Sequence, residues 1–389
     1  MTNKTGSTLW VLFFTGCVLL FRTVSYSQTG DYYNYSDEKL ELQSGYLQES
    51  ITCHFHLPET YASSDSSTRY PVVILFDSQH EKTYPHLING IDLLTSESQF
   101  PEAIIVGVPF TRQNRYYFTS AHKNKGDSLS GIERMSLFIF DELVPRLRDQ
   151  YKGNDFLALI GHSRTAFLAN YLLAQNNSDV DLVIAASGFY NNEPLGTETM
   201  KKFLSGAASF SSPVRYYFSA GTSLEEKIYY DQCSEIATFL REQPNSPLLN
   251  WQFIENQYAN HMPNYWLTVP VALMDAFSAY NFILNNWFSI TNGKESPENP
   301  IEQFKNDLEY CSKQLGFQVN PGLTQLFSLA NTFAQKEDYK TAIDFLLLGH
   351  AYYPDYTEFD ETLAYYYGEM GNKEKAAFWQ SEYDRKTGK

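Results

Sequence analysis

The segment that most constrains this chain runs from Phe156 to Gln175. An apolar run, Phe156-Leu157-Ala158-Leu159-Ile160, leads into Gly161-His162-Ser163-Arg164-Thr165, and an apolar, helix-forming run from Ala166 to Gln175 follows. Five consecutive apolar residues stopped by a glycine read as a strand buried on both faces. The segment is therefore a strand, a tight turn holding a serine, and a helix. A serine on such a turn stands clear of the sheet edge, with the next backbone N–H groups turned toward it, the geometry of a nucleophile elbow. The pattern expected is G-x-S-x-G, and Thr165 stands at its last glycine.

The flanking sequence supplies the sheet this turn needs. Pro71 to Phe76 and Ala103 to Val108 are continuous apolar strands, and Ile51 to Leu57 is a strand-like run ending at Pro58. Leu182 to Ser187, Val214 to Ala220 and Asn250 to Glu255 read as further strands. Helical periodicity spans Met135 to Tyr151, with Pro145 placed to kink it. Glu226 to Arg241 reads as a helix, and Thr268 to Trp287 as a long apolar one. Strands alternating with helices imply a mostly parallel sheet covered on both faces, here an α/β-hydrolase fold over residues 28–290.

Beyond it, 291–302 reads as a linker, polar from Thr291 to Pro300, and 303–389 as an all-helical domain. Leu329, Ala330, Phe333 and Ala342 recur 34 residues later as Leu363, Ala364, Tyr367 and Ala376. That is the period of a tetratricopeptide repeat, with small residues where helices cross and bulky ones between units. Two units are too few for a free solenoid, so they are expected to lean on the hydrolase domain or on an extra helix at 301–315.

A formal charge of −16 over 389 residues repels phosphate backbones and argues against nucleic acid as a partner. Residues 1–27 read as a cleaved signal peptide, with Lys4, an apolar stretch from Leu9 to Phe21, and Ser25 and Ser27 before the cleavage point. The expected location is secreted or periplasmic; a lipid anchor through Cys17 is disfavoured, because apolar residues continue past the cysteine. Cys53, Cys233 and Cys311 then remain, odd in number and far apart, which excludes a disulfide scaffold. No spacing resembles a zinc site, and His54 and His56 read as alternate residues of a strand face rather than as ligands.

A serine hydroxyl needs a base within hydrogen-bond reach, an acid to orient that base, and donors for the oxyanion. On this fold they follow in the order serine, acid, histidine, on loops after strands. His261 fits the histidine position. It follows the Asn250–Glu255 strand and is the only histidine between Ser163 and the linker. The acid should follow Val214–Ala220, where Glu225 is the first choice, Glu226 close behind and Asp231 further on. The Arg164 N–H is expected to serve the oxyanion with a second amide from the loop after Phe76, Ser78 or Gln79, with Ser78 preferred. Tyr116, Tyr117, Phe118, Tyr265 and Trp266 flank the expected pocket.

Several motifs recur in a familiar succession. They are Ser44-Gly45-Tyr46-Leu47-Gln48-Glu49; Tyr70 to Asp77; Val106-Gly107-Val108 with Asn114-Arg115; Phe138-Ile139 with Glu142 to Pro145; and Gly161-His162-Ser163. The chain resembles the putative esterase family of α/β-hydrolases, which includes esterase D, siderophore esterases and feruloyl or acetyl-xylan esterases. The resemblance implies a serine carboxylesterase with no metal or organic cofactor, its nucleophile at Ser163, its histidine at His261 and its acid near Glu225. The chain departs from the family pattern at Thr165, at Ser78 and in the spacing of Glu225 from Gly221. The expected partner is a small-molecule or carbohydrate-linked ester, with a protein partner for the helical repeats. The alternative is a hydrolase-fold binding protein with weakened catalysis.

Overall fold

The computed structural model describes residues 38–192, 194–291 and 296–388. The expected signal peptide and part of the linker lie outside them. Among the described residues eight strands form the main sheet: β1 (Glu38–Ser44), β2 (Glu49–His56), β3 (Tyr70–Phe76), β4 (Ile104–Val108), β5 (Gly153–His162), β6 (Leu182–Ala186), β7 (Val214–Gly221) and β8 (Leu249–Asn256). Their order is β1-β2-β4-β3-β5-β6-β7-β8. β1 pairs antiparallel with β2, and β2 antiparallel with β4. All other neighbours are parallel. Every residue of β3, β4 and β6 is buried, as their unbroken apolar runs require, whereas β1 alternates buried and exposed residues at the edge.

Among the described residues, nine α-helices accompany the sheet: α1 (Thr83–Ser96), α2 (Asn114–Phe118), α3 (Gly131–Leu137), α4 (Val144–Gln150), α5 (Arg164–Gln175), α6 (Thr197–Ser205), α7 (Lys227–Glu242), α8 (His261–Ala276) and α9 (Ser278–Thr291). The expected helix over 135–151 is a composite. α3 passes through a π-helical stretch, Phe138–Leu143, into α4, and the widened turn lies just ahead of Pro145, which has no N–H to give to a regular helix. The expected helix over 268–287 is two helices. It starts earlier, at His261, and bends by 65° where α8 meets α9. Phe277, at the break, packs edge-on against Phe100 and Phe156.

Five further helices make a C-terminal bundle: α10 (Pro300–Leu315), α11 (Leu323–Gln335), α12 (Tyr339–Tyr352), α13 (Thr357–Glu369) and α14 (Lys373–Thr387). Buried Trp287 of α9 donates to Asp307 of α10 at 3.0 Å and meets Phe304, Phe333 and Phe345 edge-on. α12 and α13 approach so closely that a Cβ on Gly349 would lie 2.3 Å from the Phe359 ring.

The described residues of this bundle and of the sheet belong to one compact unit. The bundle docks beneath the N-terminal ends of the parallel strands. Phe317 packs against Phe156 at the start of β5 and against Phe277. Asn320 donates to the Arg69 carbonyl at 2.9 Å, Arg215 to the Gln314 carbonyl at 2.6 Å, and Thr324 to the Ser96 carbonyl at 2.7 Å. Ser163 lies at the opposite ends of the strands, where β5 passes into α5. Cys53, Cys233 and Cys311 are all buried free thiols, so none forms a bridge.

Candidate active site

Ser163 joins β5 to α5 with φ 57° and ψ −116°, a backbone conformation that a non-glycine residue adopts only under constraint. Two hydrogen bonds and a close backbone approach impose it. The Ser163 amide donates to the Ala186 carbonyl at 2.8 Å, and its carbonyl accepts from the Phe167 amide at 3.0 Å. Gly161 supplies the room, because a Cβ there would fall 2.3 Å from the Thr165 carbonyl oxygen.

Thr165 does not crowd this turn. It is fully buried. Its hydroxyl accepts from the His162 amide at 2.9 Å and donates to Asp77 Oδ2 at 2.8 Å. Asp77 directly follows β3 with φ 65° and is itself almost fully buried. It accepts two 2.6 Å hydrogen bonds from Arg115 and one of 2.9 Å from the Gln79 side chain. Burial alone would raise its pKa, but the Arg115 hydrogen bonds and charge prevail and hold the carboxyl below its ordinary value. The turn carrying Ser163 and the loop after β3 are thus clamped by one ionised carboxylate.

The loops after β7 and β8 bring His261 and Glu226 together. His261 is the first residue of α8, and its Nδ1 lies 2.5 Å from Glu226 Oε1. Glu226 is fully buried. Its Oε2 accepts from Ser187 Oγ at 2.7 Å and from the Gly221 amide at 3.0 Å. Burial works to raise its pKa; the hydrogen bonds from His261, Ser187 and Gly221 outweigh it and lower the value. Glycine is required at 221 because a Cβ would fall 2.0 Å from the Ala259 carbonyl oxygen, so β7 and the histidine loop touch backbone to backbone. Asn264 buttresses the acid from behind, donating to Ser187 Oγ at 2.8 Å and to Ser219 Oγ at 3.0 Å.

The carboxylate in contact with His261 thus lies one residue beyond the expected Glu225. Glu225 is exposed, and the carboxylate meeting His261 is that of Glu226. Leu224–Glu226 is a 3₁₀ turn, in which adjacent side chains point about 120° apart, so only one of the two glutamates can face inward. The sequence held a signal for the choice. Cys233, Ile236, Ala237 and Leu240 form the buried stripe of α7, and Glu226 lies seven residues before Cys233, on the same face. Asp231 faces outward and pairs with Lys227 at 2.6 Å. Ser187 and Asn264 had no comparable signal, since their contacts span 39 and 77 residues of sequence.

His162 is buried beside the base. Its ring stacks on Tyr265 with centroids 5.0 Å apart and lies 4.3 Å from the His261 ring. Burial first, and the neighbouring His261 second, push its pKa down to about 3. It stays neutral, and its Nε2 donates to the His261 carbonyl at 2.9 Å.

The two loops expected to supply oxyanion donors differ in how their residues are held. Arg164 is the first residue of α5, where the N–H has no intrahelical acceptor. The preferred second donor, Ser78, is turned away, its amide directed at the Val108 carbonyl at 3.4 Å. Gln79 is anchored by its side chain instead, donating to Asp77 and accepting from the Phe110 amide at 2.9 Å. Of the flanking aromatics, Tyr116 lies under the Arg164 guanidinium, while Tyr117 bonds Asp127 and Trp266 packs against His86. Phe189 and Tyr229, not anticipated, complete the wall, with Tyr229 stacked 4.5 Å from the His261 ring. Among the described residues no group of three or more His, Cys, Asp or Glu could hold a metal ion. His56 pairs with Asp92.

Solved structures share this fold. An IroE-like serine hydrolase from Shewanella oneidensis superposes with a TM-score of 0.64 at 19% identity, over 80% of this chain and 98% of that one. An uncharacterised protein from Capnocytophaga ochracea gives 0.58 at 18% identity, over 90% of this chain and 93% of that one, a share that must extend into the C-terminal helices. The BES protein from Bacillus cereus gives 0.53 at 16% identity, over 70% and 98%. No curated protein matches the sequence. The family model described as putative esterase matches residues 44–241.

Proposed function

The chain belongs to the putative esterase family and is an ester-hydrolysing enzyme, and on that premise we propose that it is a serine carboxylesterase working through a Ser163-His261-Glu226 triad. The observation that carries the reading is the 2.5 Å bond between His261 and a wholly buried Glu226, together with a serine held in a strained turn. With Nδ1 engaged by Glu226, His261 keeps Nε2 for the serine proton. Ser163 Oγ attacks the ester carbonyl as His261 takes that proton. The Arg164 and Gln79 amides receive the oxyanion. His261 returns the proton to the leaving alcohol, an acyl-enzyme remains on Ser163, and water activated by His261 releases the acid.

The reading extends to an exported enzyme acting on a small-molecule or carbohydrate-linked ester. Its C-terminal helices are tetratricopeptide-like and recruit a protein partner. Two pairs support this, since α11 and α12 begin 34 residues before α13 and α14, respectively. A fluorophosphonate probe tests the chemistry. It should label the wild-type protein and not Ser163→Ala, and hydrolysis of p-nitrophenyl acetate should disappear with the label. Equal labelling of both, or hydrolysis retained by the alanine variant, would reject the triad; a folded wild type that neither labels nor hydrolyses would instead favour a binding protein.

A further inference from the structure

Arg164 places a cation next to the nucleophile, and among the described residues that cation has no anionic partner. Its guanidinium lies 4.6 Å above the Tyr116 ring and 5.9 Å from that of Phe189. Its Nη1 is buried with no hydrogen-bond partner among the described residues. The nearby Arg115 is already paired, its Nε and Nη2 donating to the two carboxylate oxygens of Asp77. A guanidinium cannot shed its proton, and a buried N–H left unpaired is a standing penalty. The aromatic groups around it continue to the base. Phe189 lies 6.3 Å from Tyr229, and Tyr229 stacks on His261. A substrate whose carbonyl sits at Ser163 therefore lies along a wall that carries one unpaired positive charge.

We propose that the Arg164 side chain is the specificity determinant of this site and that the preferred ester bears a carboxylate. The proposal rests on the serine-esterase reading above. A planar guanidinium fork matches a carboxylate in shape. With Arg115 already neutralised by Asp77, the wall offers a single net charge, which suits a monoanion better than a dianionic phosphate. The aromatic rings on either side restrict water and strengthen the pair.

Two pairs of probes test this. p-Nitrophenyl hemisuccinate against p-nitrophenyl valerate places the carboxylate on the acyl side; 4-acetoxybenzoate against its methyl ester places it on the leaving-group side. The wild-type kcat/KM ratio of anionic to neutral probe should exceed that of Arg164→Gln by at least tenfold in one pair, with Arg164→Lys recovering part of it. Comparing ratios between variants cancels the intrinsic reactivity of each ester and any effect on the Arg164 amide. Equal ratios in wild type and Arg164→Gln for both pairs would overturn the proposal. Should the glutamine variant fail to fold, Arg164→Lys and the wild type decide: a wild type whose ratios are no more sensitive to salt than the uncatalysed reactions has no cationic determinant. If Ser163→Ala hydrolyses every probe as well as wild type, the triad has failed rather than the role of Arg164.

Discussion

The Thr165 hydroxyl donates to Asp77 Oδ2 across 2.8 Å, joining the helix behind the nucleophile to the loop that follows β3. The residue at the position of the motif's last glycine is therefore a strut between two halves of the site. Thr165→Val keeps the shape and removes the hydroxyl, leaving a buried carboxylate oxygen and the His162 amide short of a partner. The expected loss is about 1–3 kcal/mol of stability with at least a tenfold fall in kcat/KM, while Thr165→Ser stays near wild type. Thermal melts and p-nitrophenyl acetate kinetics check both, and a fully active valine variant would refute the strut.

The two adjacent glutamates should behave oppositely. Glu226→Gln leaves His261 without its negative partner and should cost on the order of 10²-fold or more in kcat, as expected for an orienting acid. Glu225→Gln, on an exposed side chain, should change kcat less than twofold. Reversed outcomes would return the acid to Glu225.

The contact between the bundle and the sheet should be a matter of stability rather than of chemistry. Phe317 fills the space between Phe156 and Phe277 at the strand ends remote from Ser163. Phe317→Ala should cost about 3–5 kcal/mol and leave kcat unchanged at temperatures where the variant is folded. A marked fall in kcat of the folded variant would mean that the bundle acts on the site.

Glu102 gives this interface a pH response. Burial raises its carboxyl from 4.5 to about 7, against the hydrogen bonds it accepts from Thr60. A carboxyl whose folded pKa exceeds its unfolded one holds more protons in the native state. Its contribution to stability is thus present below about pH 4.5 and lost as pH rises toward 7. Denaturant titrations across that window should show Glu102→Gln with a flatter pH dependence than wild type, and parallel curves would contradict the shift.

What was legible in the sequence was the part written in contiguous runs. The strand, turn and helix around Ser163 depend on neighbouring residues, and so does the 34-residue echo in the C-terminal helices. His261 was legible by position in the order of the chain. Glu226 was missed by one because the choice turns on which way a single 3₁₀ turn rotates. Ser187, Asn264 and the partnership of Thr165 with Asp77 are products of packing between distant strands, for which no local pattern exists. The break at Phe277 was hidden for the same reason, since the apolar run continues smoothly through it while the rings it meets come from elsewhere.

The opposed positions of the bundle and the reacting serine have a consequence for how the enzyme is displayed. α13, the turn after it and α14 expose Tyr365, Met370 and Phe378, respectively, to solvent. A molecule held by that surface would be gripped by its base. Its catalytic mouth would point outward, free to meet substrate arriving from the opposite side.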